Sequence, residues 1–163
     1  MSDAIVLEAR LNALEIRLRR AEDLLAIYQL IASYGPAVDS GDAAATGALW
    51  ADDGTYDWGG GPPEKGPEGL AAMVEGAMHQ GIIAGGAGHV LSLPKIEIRG
   101  EEATAINYSR LYRRDGEGFV VYRLAANRWE LVRTKAGWKV KSRVNRLLKG
   151  EEEARAILND FKR

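Results

Sequence analysis

The second half of this chain alternates apolar and polar residues with a period of two, and this pattern limits the possible folds more than any other feature. Between His89 and Leu148 the alternation is broken only at glycine turns, which predicts four strands at about 88–99, 102–114, 118–134 and 137–148. Links this short join antiparallel neighbours, because parallel strands need a crossover of a dozen or more residues. The pattern therefore predicts an antiparallel meander and excludes parallel β-α-β winding.

The N-terminal region predicts a helix from about Ile5 to Tyr34. Its apolar residues recur at alternating spacings of four and three, the a and d positions of a heptad repeat: Leu7, Leu11, Leu14, Leu18, Ala21, Leu25 and Tyr28. This seam could form a coiled coil. Since about three heptads are short for a free-standing coiled coil, we favour one helix that lies on its own domain or on a neighbouring subunit. A break near 20–23 is compatible with Asp23 as the cap of a second helix.

Two turn signals follow this helical region. Gly35-Pro36 disturbs the helix, because Pro36 cannot donate a hydrogen bond to the carbonyl four residues earlier. Asp42 has the chemistry of an N-cap, which predicts a short helix through Trp50. Gly54 would end that helix as a left-handed residue.

The remaining elements complete the order of the chain. Residues 55–58 read as a strand, and an amphipathic helix follows Pro67 with His79 on its polar side. A short helix is predicted from Glu151 to Phe161. Helices that precede a run of adjacent strands indicate an α+β fold, in which the helices cover one face of a strongly curved sheet.

Composition excludes several classes of protein. A length of 163 residues fits one domain, and the absence of cysteine excludes disulfides, thiolate metal sites and cysteine nucleophiles. A formal charge of −1 gives no overall signature for nucleic acid, and the cations of the basic C-terminal third alternate outward on strands as a solvated face. There is no run long enough to span a membrane and no secretory signal, so we expect a cytoplasmic protein.

The common motifs for cofactors and metals are missing. Neither glycine cluster is followed by the Lys-Ser/Thr of a phosphate loop or has dinucleotide-binding spacing. There are only two histidines, and the acidic residues at 52, 53 and 57 lack the pattern of a calcium loop. No nucleophile elbow supports a Ser-His-Asp triad. We therefore expect neither a metal nor a cofactor.

One carboxylate stands out by its apolar surroundings. Asp39 directly follows Val38, downstream of Leu30 and Ile31, so it should be paired, hydrogen-bonded or used in chemistry. The alternative is that Asp39 is only a cap or turn residue in Asp39-Ser40-Gly41-Asp42. We predict that its partner is His89, which has the inward phase of the first strand of the meander, although a lone histidine on an apolar face is usually a core residue.

A carboxylate beside an imidazole orients the ring, fixes its tautomer and stabilises the imidazolium. Such a pair in an apolar pocket is a general base for an activated C–H bond. Other side chains at predicted inward positions are Tyr34, Tyr56, Trp58 and Arg146. On the last strand the opposite phase, predicted to face solvent, holds Lys139, Lys141, Arg143 and Asn145.

These residues give the chain a resemblance to the SnoaL-like branch of the nuclear-transport-factor-2-like superfamily. The resemblance covers about residues 20–150 and rests on Tyr34 with Asp39-Ser40-Gly41-Asp42, Leu49-Trp50-Ala51-Asp52-Asp53-Gly54, Lys65-Gly66-Pro67-Glu68-Gly69, His89, and Gly137-Trp138-Lys139-Val140. It implies a cystatin-like cone, in which N-terminal helices close a curved antiparallel sheet. The predicted division is a helical extension at 1–20 for packing or oligomerisation, a SnoaL-like domain at 21–150 and a C-terminal helix at 151–163.

The resemblance also implies roles for individual residues. In dehydratase-like members an Asp–His dyad abstracts a proton without a cofactor, which by position implies Asp39 and His89 here. Tyr34 resembles the tyrosine that assists the departing oxygen. Arg146 resembles a late arginine of the family, and Asn107 lies on the strand that often adds a polar group. Leu111 departs from the pattern of the family, because it aligns with an acidic residue of bile-acid 7α-dehydratase, one member of this branch.

The implied function is a cofactor-independent lyase or isomerase, dehydratase- or cyclase-like, for an apolar cyclic substrate that is steroid-like or polyaromatic. Tyr56, Trp58, Asn107 and Arg146 would bind that substrate. The alternative is a non-catalytic ligand-binding protein or the small subunit of an aromatic-ring-hydroxylating dioxygenase, with a larger subunit as partner. In the first case we expect a homo-oligomer, a dimer or a trimer.

Overall fold

The alternating half of the chain forms the centre of one curved sheet in this computed structural model, which describes residues 3–159. The strands are β1 (Trp50–Asp57), β2 (Glu64–Lys65), β3 (Ala87–Leu91), β4 (Lys95–Arg99), β5 (Glu102–Asp115), β6 (Gly118–Thr134) and β7 (Gly137–Leu147). Among the described residues the sheet has seven strands in the order β2-β1-β7-β6-β5-β3, and β4 also pairs with β5. The long antiparallel meander β5-β6-β7 is confirmed.

The α+β class is confirmed, but helices lie on both faces of the sheet and not on one face as predicted. They are α1 (Asp3–Asp39), α2 (Ala43–Gly47), α3 (Gly66–Glu75), α4 (Ala77–Ala84) and α5 (Glu152–Leu158). The main core lies between the sheet and the helices that precede it, and a smaller core lies under α5. Among the described residues no helix combines the length and apolar character that a membrane crossing requires.

The strands differ from the prediction at two places. The first strand of the meander is divided into β3 and β4, which both pair antiparallel with β5 and are separated by a segment that contains Pro94. Proline cannot donate to a ladder, so a continuous strand is disfavoured there. The edge of the meander is also extended, because β1 pairs with β7 in parallel.

The predicted helix end at Gly54 is wrong. Helix α2 ends at Gly47, and Gly54 lies within β1 without a left-handed backbone. A Cβ atom at Gly54 would lie 2.6 Å from the carbonyl oxygen of Val140 on β7. The glycine is therefore needed for close approach of two strands rather than for a helix cap.

Helix α1 is uninterrupted from Asp3 to Asp39, so it passes the predicted end at Tyr34 and the predicted disturbance at Gly35-Pro36. The break near 20–23, which the sequence left open, does not occur in α1. Only its C-terminal half packs on the domain, through residues that include Ile27, Ile31 and Val38. The seam upstream does not lie on the chain's own domain, since Leu7 and Leu18 are 59% and 60% exposed.

A bulge in β7 changes which side chains face the main core. Val140 pairs with Leu131 and Ser142 pairs with Glu130, so Lys141 is an extra residue that shifts the phase of everything after it. Beyond the bulge the inward residues are Arg143 and Asn145, both of which were predicted to face solvent. The apolar residues of the other phase, such as Val144, pack instead against the small core under α5.

Candidate active site

Asp39 and His89 are in direct contact, as the sequence predicted. Asp39 is the last residue of α1 and His89 is the middle residue of β3. The Nδ1 atom of His89 lies 2.6 Å from Oδ1 of Asp39, and the backbone N–H of His89 donates to Oδ2 at 2.7 Å. Both carboxylate oxygens therefore bind one residue, which fixes the position and the orientation of the ring.

Glycine at position 35 makes this contact sterically feasible. A Cβ atom at Gly35 would lie 2.3 Å from the carbonyl oxygen of His89, so α1 and β3 approach at that point more closely than any side chain allows. Because Gly35 has no side chain, α1 can lie close enough to β3 for Asp39 to reach His89.

The contact also defines the tautomer of His89. An ionised carboxylate only accepts hydrogen bonds, so Nδ1 carries the hydrogen that points to Asp39. The lone pair of the neutral ring is then on Nε2. The side chains of His89 and Asp39 are 18% and 23% exposed, so the dyad is shielded but accessible.

His89 lines two neighbouring cavities that share part of their lining, the larger of which is called the outer lobe and the smaller the inner lobe. The outer lobe has a volume of about 240 Å³ and the inner lobe about 40 Å³. Both are lined by Tyr56, His89, Leu111 and Arg123. The outer lobe also has Tyr34, Trp58, Glu64, Met73, Met78, His79 and Ile82, whereas the inner lobe adds Ser109, Arg110, Ala125, Arg143 and Asn145.

Tyr34 is the centre of an aromatic cluster at the wall of the cavity. Its ring makes edge contacts with those of Trp50, Tyr56, Trp129 and His89, at centroid distances of 6.0–6.2 Å. Burial raises the pKa of the Tyr34 phenol above its usual range, Tyr56 raises it further, and Arg143 opposes both. Tyr34 therefore stays protonated, and side-chain hydrogen bonds link its hydroxyl to Tyr56 and Arg143.

His79 is buried, and the prediction that it faces solvent is wrong. Its Nε2 atom donates to the carbonyl oxygen of Val38 at 2.7 Å, and its ring stacks on His89 with a centroid distance of 5.8 Å. The error arose at Gly76, whose extended backbone separates α3 from α4. The helical phase of α3 therefore does not continue to His79, or to Met78, which is exposed at the cavity instead of packed inward.

Arg143 is the site residue that sequence reasoning missed. It is 2% exposed, and its Cζ atom lies 4.0 Å, 4.1 Å and 4.6 Å from the ring centroids of Tyr34, Trp129 and Tyr56. Nε and Nη2 donate to Oδ1 of Asn127 at 3.1 Å and 2.8 Å. Nη1 is buried without a hydrogen-bond partner, and in the described part of the chain no carboxylate forms a salt bridge with Arg143.

The asparagine that accepts from Arg143 belongs to a row of three on neighbouring strands. Asn107, Asn127 and Asn145 occupy paired positions on β5, β6 and β7. Asn145 donates to Oδ1 of Asn127 at 2.8 Å. Asn107, predicted to bind substrate, lines neither lobe of the cavity: its amide accepts from Nε1 of Trp129 at 3.0 Å and donates to the carbonyl oxygen of Ser92 at 3.0 Å.

Arg146 is placed away from the dyad, and its predicted inward phase is wrong because of the bulge. Its guanidinium bonds Asp57 at 2.6 Å and also forms a salt bridge with Glu153 on α5. The hydrogen bond from Arg146 lowers the pKa of Asp57, and the same pair raises the pKa of Arg146. Arg146 lines a separate open hollow of about 520 Å³, which contains neither member of the dyad.

The structure thus brings together four of the predicted site residues with Asp39: Tyr34, Tyr56, Trp58 and His89. It adds Arg143 and His79, and it places Arg146 and Asn107 elsewhere. Within residues 3–159 no three His, Asp or Glu side chains are grouped as a metal site.

Comparisons with known proteins agree with this architecture. A nuclear-transport-factor-2-like protein with a cystatin-like fold from Novosphingobium aromaticivorans is 42% identical, covering 91% of this chain and 96% of its own, with a TM-score of 0.89. A Mycobacterium tuberculosis protein of unknown function is 16% identical, with coverage of 86% and 87% and a TM-score of 0.72. A protein from N. aromaticivorans that is provisionally named an aromatic ring hydroxylase is 24% identical, with coverage of 78% and 90% and a TM-score of 0.65.

No curated protein sequence matches this chain closely enough to count as a relative. The family model described as a SnoaL-like domain matches residues 19–144, which is most of the chain. The fold that the sequence resemblance implied is confirmed by these matches. The chain therefore belongs to the SnoaL-like domain family, within the nuclear-transport-factor-2-like superfamily.

Proposed function

We propose that this protein is a cofactor-independent lyase or isomerase in which His89 removes a proton from an activated carbon of a cyclic substrate. The observation that carries the proposal is the pair Asp39–His89: Oδ1 of Asp39 bonds the imidazole Nδ1 and Oδ2 bonds the backbone N–H of the same residue. The smaller of the two cavities at His89 is also lined by Arg143, whose guanidinium has no carboxylate partner among the described residues. One group can take a proton, and the other can stabilise the negative charge that the proton leaves behind.

The first step follows from these groups. The lone pair on Nε2 of His89 takes the proton, and the electrons of the C–H bond move into the ring system and onto a conjugated oxygen. Asp39 stabilises the imidazolium that forms. A positioned general base contributes about 10²–10⁴ in rate. Arg143 and the O–H of Tyr34 are the donors available to the oxygen that gains charge, and one such donor is worth about 10²–10³.

The second step decides between the two reaction classes. In an isomerase, the imidazolium of His89 returns the proton to another carbon of the same conjugated system. In a lyase, the bond from the neighbouring carbon to oxygen breaks, and the imidazolium delivers its proton to that oxygen so that water leaves. Both routes restore the neutral histidine and need no added oxidant or reductant.

The cavity favours a small substrate. Its outer lobe of about 240 Å³ lies below the range of about 300–1,000 Å³ that is common for drug-sized ligands. We therefore propose a compound of one or two rings with a carbonyl or phenol oxygen, rather than a full steroid. Tyr56 and Trp58 supply the apolar walls for such rings.

Proton exchange with solvent tests the proposal even when the final product is unidentified. One- and two-ring ketones and phenols would be incubated with the protein in D₂O, and deuterium uptake at carbon would be followed by NMR. We expect catalysed exchange for a subset of compounds, and a loss of about 10²–10⁴ in rate for His89→Gln. Thermal unfolding and near-UV circular dichroism would check that the variant is folded. An unchanged rate in His89→Gln contradicts the mechanism.

A second candidate function is that of a small subunit of a ring-hydroxylating dioxygenase, or a non-catalytic binder. It is favoured by the likeness to the N. aromaticivorans protein provisionally named an aromatic ring hydroxylase, although 24% identity supports only a shared fold. Purification from its own cells discriminates the two. A complex with a larger iron-bearing chain supports the subunit role, whereas catalysed exchange by the isolated protein supports the enzyme.

A further inference from the structure

Helix α1 carries a long apolar seam that its own domain leaves exposed except at the last position, Tyr28, which is partly buried. The seam comprises Leu7, Leu11, Leu14, Leu18, Ala21, Leu25 and Tyr28. Its five leucines are between 51% and 63% exposed. Exposed apolar surface of this extent on one element marks an interaction site.

The seam points away from the domain that α1 belongs to. The larger side chains of α1 that are buried against the domain are those of Asp23, Ile27, Ile31, Tyr34 and Val38. At about 100° per residue, these side chains centre about 150° around the helix axis from the a and d positions of the seam. A second helix can therefore pack on the seam without meeting the domain that α1 supports.

The charges beside the seam identify the partner as a second copy of this chain in parallel orientation. The e positions hold Glu8, Glu15 and Glu22, and two g positions hold Arg10 and Arg17. In a parallel, in-register pair the g residue of one helix faces the e residue of the next heptad of the other. Arg10 would then face Glu15 of the partner subunit, and Arg17 would face Glu22 of the partner subunit. An antiparallel pair would place arginine against arginine and glutamate against glutamate.

We propose that two copies of the chain associate through residues 7–28 as a parallel, in-register coiled coil. Charged residues at five of the six e and g positions from Glu8 to Leu24, all except Leu24 itself, leave a narrow a/d seam, which suits two strands rather than a broader bundle. The coiled coil is about 30 Å long and leaves each domain on the outer side of its own helix. This inference does not depend on the proposed chemistry, because the seam contains no residue of the cavity.

Sedimentation equilibrium of the full chain tests the association. We expect a dimer, and a monomer for the double variant Leu11→Glu/Leu14→Glu. The matched control is Ile5→Glu/Ile16→Glu, which places the same charges on exposed positions of the same helix outside the seam and should remain dimeric. A monomeric parent chain, a mass of three or more chains, or a dimer that survives Leu11→Glu/Leu14→Glu overturns the proposal.

Disulfide trapping tests the orientation, because the chain has no cysteine of its own. Ala21 occupies a d position, and in a parallel register it lies beside its own counterpart in the partner. Ala21→Cys should therefore form an interchain disulfide in a glutathione buffer, whereas Ala13→Cys on the exposed outer face should not. Equal crosslinking of the two variants, or none in Ala21→Cys while the protein is dimeric, contradicts the parallel arrangement.

Discussion

Arg143 and Arg146 stand three positions apart on β7 and have opposite electrostatic surroundings. Arg146 bonds Asp57 and Glu153, so its charge is neutralised by the protein and ties β7 to β1 and α5. Arg143 is almost completely buried among three aromatic rings, and its polar contacts are with neutral groups, the amide of Asn127 and the hydroxyl of Tyr34. Carboxylates therefore neutralise the charge of Arg146, whereas no described carboxylate neutralises the charge of Arg143.

This difference favours Arg143 over Arg146 as the arginine that would serve a ligand in the proposed function. Burying a charge costs several kcal/mol unless a partner compensates it, and contacts with ring faces return only about 0.5–2 kcal/mol each. A buried Nη1 atom without a hydrogen-bond partner therefore supports the proposal that Arg143 serves a ligand rather than the fold. A bound anionic oxygen would supply the missing acceptor.

The largest expected effect comes from Arg143→Met. We expect deuterium exchange to fall about 10²–10³-fold, because a donor to the charged oxygen is lost. Stability should change by no more than about 1 kcal/mol, since replacing a buried unbalanced charge by an apolar side chain is often neutral. Arg143→Lys keeps the charge but loses the planar guanidinium, so its exchange rate should lie between that of the parent chain and that of Arg143→Met. If Arg143→Met were strongly destabilised but fully active, Arg143 would serve the fold like Arg146, and the proposed difference between the two arginines would be wrong.

The next effect concerns the glycine that lets α1 approach β3. Gly35→Ala would place a Cβ atom 2.3 Å from the carbonyl oxygen of His89, so the strand must shift and the Asp39–His89 contact must loosen. We expect a loss of about 1–3 kcal/mol in unfolding free energy and a reduced exchange rate. Gly88→Ala is the matched control, because a Cβ atom there has no neighbour within 4 Å. Equal effects of the two substitutions would contradict this role for Gly35.

Arg146→Met should show the reverse pattern of Arg143→Met. The loss of its salt bridges leaves Asp57 partly buried without its cation, which should cost about 1–2 kcal/mol, between the values for exposed and buried pairs. Exchange activity at a temperature where the variant is folded should stay within about twofold of the parent. Urea unfolding and the exchange assay measure both quantities. A loss of activity without a loss of stability would reverse the assignment of the two arginines.

The smallest effect is on the acid side of the stability curve. The pKa of Asp57 is lowered in the folded state, chiefly by the hydrogen bond from Arg146, so its carboxylate favours folding above the unfolded pKa of about 3.9. That contribution is lost as the pH falls below about 4 towards the lowered folded pKa. In Asp57→Asn the difference in unfolding free energy between pH 7 and pH 3 should therefore be smaller than in the parent. Asp53→Asn, which removes an exposed carboxylate from the same strand, is the matched control.

Sequence reasoning identified Asp39 and His89 because each breaks a strong local pattern. A carboxylate directly after an apolar helical segment and a histidine on an inward strand phase are informative even before any distant contact is considered. The same reasoning predicted the α+β fold and the meander, since a period of two and short glycine turns are local properties. Whether the dyad is catalytic stays a prediction.

Arg143 was missed because the phase of β7 depends on a non-local feature. The apolar residues Trp138, Val140 and Val144 look like one face in the sequence, but the bulge at Lys141 divides them between two cores. The C-terminal helix did contain a signal that the sheet has two apolar faces. The apolar residues Ala154 and Ile157 of α5 need a surface to pack on, which requires apolar side chains on the outer face of the sheet as well.

The most direct test of the account is the ionisation of a bound phenol. An ionisable chromophore such as 4-nitrophenol reports its own charge by absorbance, and it fits a cavity of about 240 Å³. We expect the bound phenol to have a lower pKa than the free one in the parent chain and in Arg146→Met, and to lose most of that shift in Arg143→Met. An equal shift in all three proteins, or none in the parent, would contradict the claim that the unbalanced guanidinium serves an anionic oxygen beside His89.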